Sequence, residues 1–403
     1  MTDADKTLTT PLSVLAHGAA PLLGLTLLWH PEPQRVGQQY LGPGIAGRIE
    51  LNRFLPLFQH PGQEGAALGH RCIARSPLQI QRQADDSVVI TAPASGMALA
   101  IDNQRVTQAS QWLSSDQVAR GVVLGLGGQI LLCLHWVRDL PKRNALPGVL
   151  GGSAAAVALR DQIRQVARTE LPVLLLGETG TGKDVAARAI HAASSRKDRP
   201  FVAVNMAALS EALAPADLFG AVKGAYTGAT AARAGLFAEA GDGTLFLDEI
   251  ADTPAPVQPM LLRVLENGEY RPLGARHNLQ SQARLITATD QDLSSRAFNQ
   301  ALLRRMEAYV IRVPALRERR EDIGVLIRHF AQQWSEQSGQ SVELPAALVA
   351  ELCCYDWPGN IRQLAHVVRL AHHNRNNNTA TLKNTSSAKN TVLTALYDFG
   401  VAK

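Results

Sequence analysis

A short apolar run that ends in a glycine-rich loop constrains the fold of this chain more than any other feature. The run Pro172 to Leu176 leads directly into the loop Gly177 to Lys183, which reads GETGTGK, and the helix-compatible segment DVAARAIHAAS follows. Strand, glycine loop and helix in this order are the context of a phosphate-binding P-loop. The glycines let successive backbone N–H groups turn towards one set of phosphate oxygens. The N-terminus of the helix favours the same anion.

The P-loop predicts a site for ATP and Mg²⁺, in which Lys183 places a full positive charge at the β- and γ-phosphates. Asp184 stands where a Ser or Thr usually supplies a hydroxyl ligand to Mg²⁺, so we expect another carboxylate to do more of the metal binding. The alternative, a glycine-rich surface turn, is disfavoured by the flanking strand and helix. The predicted nucleotide-binding residues are Gly177, Glu178, Thr179, Gly180, Thr181, Gly182, Lys183 and Asp184.

Composition excludes several classes of protein. The 403 residues suffice for two or three domains, and a net charge of +5 permits general nucleic-acid binding without requiring it. The apolar stretch near the N-terminus is broken by His17 and His30, and the run Gly121 to Val137 contains a Gly-Gly pair typical of a hairpin. Four cysteines without C-x-x-C spacing argue against a disulfide framework or a zinc site. We expect a cytoplasmic protein with no membrane partner.

Residues 1–138 predict an all-β domain. Short apolar runs such as Leu25–Trp29, Leu78–Gln81 and Ser87–Thr91 alternate with clusters of Gly, Pro, Asn and Asp, and Val122–Leu126 with Gln129–His135 predicts a closing hairpin. The domain contains no constellation of acid, base and nucleophile, so we interpret it as a binding or regulatory domain. Residues 139–148 predict a linker, through which we expect the domain to act on the region that follows.

A βα pattern begins at residue 149. Predicted strands at Phe201–Asn205, Gly243–Ile250 and Arg284–Thr289 alternate with helical stretches, which indicates a parallel sheet with its ligand at the carboxyl edge. Asp248 and Glu249 come near the end of the second of these strands. Such a pair is often only a strand end, but downstream of a P-loop one carboxylate can hold Mg²⁺ while the other polarises the attacking water.

The motifs between residues 149 and 373 strongly resemble the AAA+ domain of bacterial enhancer-binding proteins, the ATPases that activate sigma-54 RNA polymerase. The most specific motif is GAYTGA, which is similar to the GAFTGA loop that contacts sigma-54 in that family. FVAVN, LRERREDI and WPGNIRQL are further matches. The resemblance implies an α/β ATPase domain over 149–318 and a helical lid over 319–373. The implied sigma-54 contacts are Gly224, Ala225, Tyr226, Thr227, Gly228 and Ala229.

The same resemblance implies roles for individual residues. Asp248, the implied metal ligand, and Glu249 correspond to the Walker B carboxylates, and Asn205 to an asparagine that switches the catalytic glutamate between states. Arg362 corresponds to a lid arginine, sensor II, that reaches the nucleotide. Arg305 corresponds to one of two arginines that reach the γ-phosphate in a neighbouring subunit. The implied catalytic set is Asp248, Glu249, Arg305 and Asn205.

Three positions depart from that family. Asn299 replaces the first of the two trans-acting arginines, and Asp290 replaces the usual sensor I asparagine. An added carboxylate near a γ-phosphate would repel it unless it is paired or protonated. The arm of the GAYTGA loop reads GAVKGA instead of GHEKGA. These departures leave open whether ATP hydrolysis is fully active.

The two ends of the chain carry weaker resemblances. LTLLWHPEPQRVG, HRCIARSPLQI and IDNQRV resemble a forkhead-associated (FHA) domain, a β-sandwich that binds phosphothreonine. Gly37-Gln38 replaces that family's Gly-Arg, and Ala74-Arg75-Ser76-Pro77 replaces Ser-Arg-x-His, so we expect no useful phosphate binding. Residues 374–403 predict a polar linker and the first helix of a Fis-type helix-turn-helix. Without its recognition helix we expect DNA binding to be weak or supplied by a partner.

Two functions remain open at this point. The first is a ring-forming ATPase, a hexamer by resemblance, that remodels the sigma-54 RNA polymerase holoenzyme and activates transcription. The alternative is a hydrolysis-impaired regulatory subunit that binds ATP and modulates a related activator ring. The P-loop, the Walker B pair and GAYTGA favour the first function, whereas Asn299 and Asp290 favour the second.

Overall fold

The computed structural model describes residues 21–43, 47–137, 144–226, 230–294, 298–339 and 344–377, with side chains to residue 371. These residues form two compact units. The first consists of Leu146–Val149 and Ala158–Val313. The second consists of the described parts of Leu12–Ala145, Leu150–Val157 and Pro314–Lys403.

The N-terminal part of the second unit is built from two antiparallel sheets. The six-stranded sheet has the order β2-β1-β10-β9-β6-β7, and the four-stranded sheet has the order β3-β4-β5-β8. The strands are β1 Leu22–Trp29, β2 Gln39–Leu41, β3 Arg48–Leu51, β4 Leu78–Arg82, β5 Val88–Thr91, β6 Leu99–Ile101, β7 Gln104–Arg105, β8 Ser110–Leu113, β9 Val122–Leu126 and β10 Ile130–Val137. A short helix, α1 (Ser115–Arg120), precedes β9.

Both sheets contribute to one apolar core. Leu25 and Leu132 from the larger sheet cluster with Ile80 and Ile90 from the smaller one. The predicted hairpin is present, since Leu126 of β9 pairs with Ile130 of β10 across a turn formed by two glycines at positive φ. The prediction of an all-β domain, consistent with a sandwich, is confirmed.

The first unit contains a five-stranded parallel sheet of order β12-β13-β16-β11-β17. Its elements, of which α2 belongs to this unit from residue 158, are α2 Ala154–Ala167, β11 Val173–Leu176, α3 Lys183–Ala192, β12 Phe201–Asn205, α4 Ala214–Phe219, α5 Leu236–Ala240, β13 Thr244–Asp248, α6 Gln258–Asn267, β14 Glu269–Tyr270, β15 Leu279–Gln280, β16 Arg284–Thr289, α7 Gln300–Met306 and β17 Tyr309–Arg312. The sequence predicts β13 to run to Ile250, but it ends at Asp248 because Glu249 takes a left-handed φ of 52°.

Three helices form the C-terminal part of the second unit: α8 Ile323–Ser338, α9 Ala346–Cys354 and α10 Asn360–Asn377. The connection between α9 and α10 is held by Trp357, which is fully buried and donates from Nε1 to the Leu352 carbonyl at 2.8 Å. The Asn360 side chain in turn accepts from the Leu316 amide at 2.8 Å. The WPGN motif thus anchors the helices to one another, and the predicted helical lid is confirmed. Within the ranges given above, none of the helices combines the length and apolar character needed to cross a membrane.

Candidate functional site

The predicted P-loop lies between strand β11 and helix α3. Gly180 and Gly182 adopt positive φ values of 80° and 96°, which residues with a Cβ rarely adopt. Gly177 is required for a different reason, because a Cβ there would lie 2.6 Å from the Val313 carbonyl oxygen. The loop therefore wraps closely against the carboxyl end of the sheet, as a phosphate cradle requires.

Lys183 opens helix α3 and folds its side chain back over this loop. Its ammonium donates to the Gly177 carbonyl at 2.8 Å and to the Glu178 carbonyl at 3.4 Å. The Thr181 hydroxyl also donates to the Glu178 carbonyl, at 2.8 Å. Asp184 lies exposed in the first turn of α3. The positive charge is thus held at the mouth of the loop, where phosphates bind.

The two carboxylates of the predicted Walker B pair lie at the end of β13. The Glu249 amide donates to Asp248 Oδ1 at 3.1 Å. Glu249 Oε2 is buried and accepts no hydrogen bond from the described residues. Burial raises the pKa of Glu249, and the nearby Lys183 charge partly offsets this rise. A desolvated carboxylate with an unused oxygen is suited to accept a hydrogen bond from an attacking water.

The residues at this edge fit a magnesium–nucleotide complex. Mg²⁺ is usually bound by one or two carboxylates together with phosphates and water, rather than by a protein cage. Asp248 supplies such a carboxylate at the end of β13, which is separated from the P-loop strand β11 by β16 alone. No group of three His, Cys, Asp or Glu side chains suited to a metal occurs in the described part of the chain. Asp248 therefore fits the role of metal ligand predicted for it.

Asn205 lies opposite Asp248 in the pairing of β12 with β13. Its side-chain oxygen accepts from the Ala207 amide at 2.9 Å and so caps the short 3-10 helix Met206–Ala208. This hydrogen bond holds the side chain at the carboxyl edge of the sheet. Its implied switching contact with Glu249 stays a prediction.

Asp290 has a partner that sequence reasoning did not identify. The Thr179 hydroxyl donates to Asp290 Oδ2 at 2.6 Å, across 111 residues of sequence. The hydrogen bond ties the carboxylate that follows β16 to the middle of the P-loop. The departure from asparagine therefore anchors the loop. The neutral hydroxyl does not cancel the negative charge of Asp290, which, next to burial, contributes to the raised pKa of Glu249.

Asn299, the other departure, caps helix α7. Its side-chain oxygen accepts from the amides of Ala301 at 3.0 Å and Leu302 at 3.1 Å. Arg305 lies six residues further along, nearly two turns, on the exposed side of the same helix and 3.6 Å from a Glu266 carboxylate oxygen. More than half of its side chain is exposed, at 59%. Arg305 is thus available at the surface, as a residue acting on a neighbouring subunit must be.

The GAYTGA loop rises from a hydrogen-bonded base. Ala221 exchanges backbone hydrogen bonds with Arg233 on the returning chain, and its neighbours bond to Leu273. Tyr226 is 38% exposed, and Gly224 has a φ of 80°. Thr227, Gly228 and Ala229 lie outside the described residues. The base is therefore held at a defined place while the aromatic ring faces solvent.

Sequence reasoning missed the support for this loop. Gly274, at a φ of 72°, lies so close that a Cβ there would be 3.0 Å from Ala225 Cβ. It belongs to the connection between β14 and β15, whose Pro-Leu-Gly sequence is a turn signal that could have identified it. Arg362, the lid arginine to which the resemblance assigns the sensor II role, is exposed on α10.

In the N-terminal sheets, Gln38 occupies the place of the FHA family's arginine. Its side-chain oxygen accepts from Arg35 Nε at 3.0 Å, and buried Arg35 also donates to the carbonyls of Ala66 and Leu68. This guanidinium is used internally. The expectation that the domain does not bind phosphothreonine stays a prediction. Arg75 lies exposed.

A P-loop beside a carboxylate pair, on a parallel sheet with a helical lid, defines the class of AAA+ ATPases. Residues 149–313 match the model of the sigma-54 interaction domain family, and residues 317–389 match the AAA+ ATPase lid domain. This region of the chain is therefore similar to the sigma-54 interaction domain family. The predicted fold class and the predicted relation to sigma-54-dependent activators are confirmed. The FHA-like character of the N-terminal domain stays a prediction.

Curated relatives match the same region. The chain is 47% identical over 221 residues to the sigma54-dependent transcriptional activator SfnR of Pseudomonas putida, covering 54% of this chain and 60% of the relative. It is 45% identical over 240 residues to the transcriptional regulator VasH of Vibrio cholerae, covering 57% and 45%. The chain spans about half the length of the curated relatives it matches.

A solved structure agrees with this assignment. NtrX from Brucella abortus, in complex with ATP, is 35% identical and aligns with a TM-score of 0.53, covering 56% of this chain and 50% of that chain.

Proposed function

We propose that this protein hydrolyses ATP and uses the energy to remodel the sigma-54 RNA polymerase holoenzyme, which activates transcription. The observation that carries the proposal is the exposed Tyr226 ring on a hydrogen-bonded loop base, within the same unit as a P-loop and a desolvated glutamate. The exposed ring is suited to contact another protein, and the P-loop with the glutamate is suited to phosphoryl transfer.

In the proposed mechanism, the P-loop amides and Lys183 bind the β- and γ-phosphates. Asp248 holds Mg²⁺, which neutralises charge on the phosphates when bound. Glu249 orients and polarises the attacking water, and Asn205 holds a position from which it can restrain that carboxylate. Arg305 approaches the γ-phosphate of a neighbouring subunit, so we also propose assembly into a ring, of six subunits by resemblance.

The sigma-54 contact is proposed to run through the Tyr226 ring. An aromatic ring with a polar tip packs against an apolar surface while its hydroxyl stays hydrated. The hydrogen-bonded base at Ala221 and Arg233 gives the ring a fixed origin, so that movements in the ATPase unit can be passed to its tip. Since this partner is a cytoplasmic enzyme, we propose a cytoplasmic location.

The structure leaves both departures behind the regulatory-subunit alternative in place. The Thr179 hydroxyl holds Asp290, but a neutral hydroxyl does not cancel the negative charge of this carboxylate, which, next to burial, contributes to the raised pKa of Glu249. Asn299 caps helix α7, and Arg305 on the same helix retains the charge needed for a trans-acting residue.

The decisive experiment traps the purified protein with ADP and aluminium fluoride and adds sigma-54. We expect a complex on gel filtration for the native chain and for Tyr226→Phe, which keeps the ring. Tyr226→Ala should lose the complex while ATP turnover stays near that of the native chain. Lys183→Ala should lose both nucleotide binding and the complex. A persistent complex with Tyr226→Ala would contradict the proposed contact.

A further inference from the structure

In the second unit, the N-terminal sheets and the lid helices share one apolar core. Strand residues pack in the same cluster as buried residues of α8, α9 and α10. The strand residues are Leu28, Val123, Leu131 and Cys133, and the helix residues include Ile323, Leu326, Ile327, Val349, Leu352, Cys353, Leu364, Val367 and Val368. All are at most 3% exposed. The extent of this core exceeds that of a loose contact between domains, because it is as closely buried as a domain interior.

The backbones themselves meet at Gly324, in the first turn of α8. A Cβ at this position would clash with the carbonyl oxygen of Leu28 in β1 and would lie 2.7 Å from the Leu28 carbonyl carbon. Nearby, the Arg320 guanidinium donates to the Gly121 carbonyl at 3.4 Å, and to Asp356 at 2.7 Å. Helix α8 therefore lies directly against strand β1, with no side chain between them at this point.

The segment before α2 is bound to both parts of this unit. Asp322 Oδ1 accepts from the amides of Gly152 at 2.7 Å and Ser153 at 2.8 Å, and Asp322 Oδ2 accepts from the Ser153 hydroxyl at 2.6 Å. From the other side, Gln39 donates to the Gly152 carbonyl at 3.2 Å. One short segment is thus hydrogen-bonded to strand β2 and to the start of the lid.

We propose that the N-terminal β domain is a fixed extension of the AAA+ lid, so that the two move as one body and a displacement of this domain alters nucleotide binding through the lid helices. This inference rests on the proposed ATPase function. The sequence suggested that the domain acts through the 139–148 linker, whereas the shared core supplies a direct and stiffer route. Packed interiors transmit displacement because they do not deform continuously. Helix α10, which bears Arg362, belongs to this core.

The test is Gly324→Ala in the full chain, compared with Gly96→Ala. Neither glycine has a positive φ, and a Cβ at Gly96 meets no atom within 4 Å. Alanine favours a helix more than glycine does, so an independent lid would be stabilised by Gly324→Ala. If the core is shared, the new methyl group separates α8 from β1 and loosens the lid. Nucleotide must then order the lid on binding, and affinity for a fluorescent ADP analogue should fall about fivefold or more, the usual size of coupling between sites.

Hydrogen exchange provides the second readout. In Gly324→Ala, exchange should rise together in β1, α8 and α10, whereas Gly96→Ala should leave affinity and exchange unchanged. Unaltered nucleotide affinity, or faster exchange confined to α8, would overturn the proposal.

If Gly324→Ala does not fold, hydrogen exchange of the native chain with and without ADP still tests the proposal. Adding ADP should then increase protection in β9 and β10 along with α8 and α9, because regions of one cooperative unit open together. Protection confined to the lid would overturn the inference while leaving the proposed function intact. Failure of the native chain to bind nucleotide would instead contradict the proposed function, and the inference with it.

Discussion

Two carboxylates that each have a buried oxygen, one in each unit of the protein, are treated in opposite ways. Asp322, at the start of the lid, is fully buried and accepts three hydrogen bonds. Glu249, at the carboxyl edge of the parallel sheet, keeps a buried oxygen without a hydrogen-bond partner among the described residues, and burial raises its pKa. A satisfied carboxylate stabilises a structure, whereas an unsatisfied one costs stability and is available for chemistry.

One arginine from each region shows the same difference in how fully its side chain is bonded within its own unit. Arg320, beside Asp322, is 15% exposed and bonds to a backbone carbonyl and to a carboxylate of its own unit. Arg305 is mostly exposed and makes a long ion pair with Glu266. Glu249 and Arg305 are thus less engaged within their own unit than Asp322 and Arg320, which hold the chain together. Changes in the first region should alter rates, and changes in the second should alter stability.

The largest expected effect is that of Arg305→Ala. Because an arginine that reaches a neighbour's γ-phosphate stabilises charge in the transition state, its loss should slow ATP hydrolysis on the order of a thousandfold. Nucleotide affinity and thermal stability should hardly change, since an exposed ion pair contributes little. Steady-state ATPase assays across a range of protein concentration measure this, because activity in trans rises with assembly. Arg304→Ala is the matched control, and an equal loss in that variant would show that Arg305 has no special role.

Asp322→Ala should have the next largest effect and should act on stability. The change leaves the Gly152 amide, the Ser153 amide and the Ser153 hydroxyl without their acceptor, which should lower the free energy of unfolding by roughly 3 kcal/mol. Asp322→Asn retains one acceptor oxygen and should lose less. Urea unfolding followed by circular dichroism measures both.

Glu249→Gln should have the opposite effect to Asp322→Ala, because it should act on ATP hydrolysis and should not lower stability. It removes a desolvated charge, so stability should be equal or higher while hydrolysis slows strongly. If Asp322→Ala unfolds at the same urea concentration as the native chain, the contrast between the two carboxylates is wrong.

The smallest expected effect is a pH dependence from a buried pair in the second unit. His135 Nδ1 lies 3.8 Å from a Glu321 carboxylate oxygen, and the Thr26 hydroxyl lies 2.8 Å from His135 Nε2. Burial lowers the pKa of His135 to about 4 and raises the pKa of Glu321 to about 8. Both groups are therefore neutral in the folded protein near pH 6.

The two shifts act in opposite directions. The stability that neutral Glu321 contributes is lost as pH rises from its ordinary pKa of 4.5 towards 8, and that of neutral His135 is lost as pH falls from 6.5 towards 4. Above pH 6.5 Glu321 contributes most of the pH dependence of this pair, so the free energy of unfolding should fall by about 1 to 2 kcal/mol between pH 6.5 and 8. Glu321→Gln should flatten this decline in urea unfolding measured at each pH. A decline of the same size in Glu321→Gln would assign it to another group.

Much of the fold could be read from short stretches of sequence. Strands β4, β5, β9 and β16 lie within a residue of their predicted ends, because alternating or continuous apolar runs bounded by turn residues define them locally. The short strands β2, β3 and β17 were not predicted. Strand β17 nevertheless completes the parallel sheet by pairing with β11.

The sequence by itself determined the P-loop and the exposed loop at Tyr226, because glycines at defined spacing set the backbone conformation within a few residues. Only the tertiary structure decided which groups those residues meet. Thr179 bonds to Asp290, and Ser153 to Asp322, across 111 and 169 residues of chain. Leu28 packs in one core with Ile323. Such contacts depend on how distant surfaces fit together, and local periodicity shows only that a side is apolar, not what covers it.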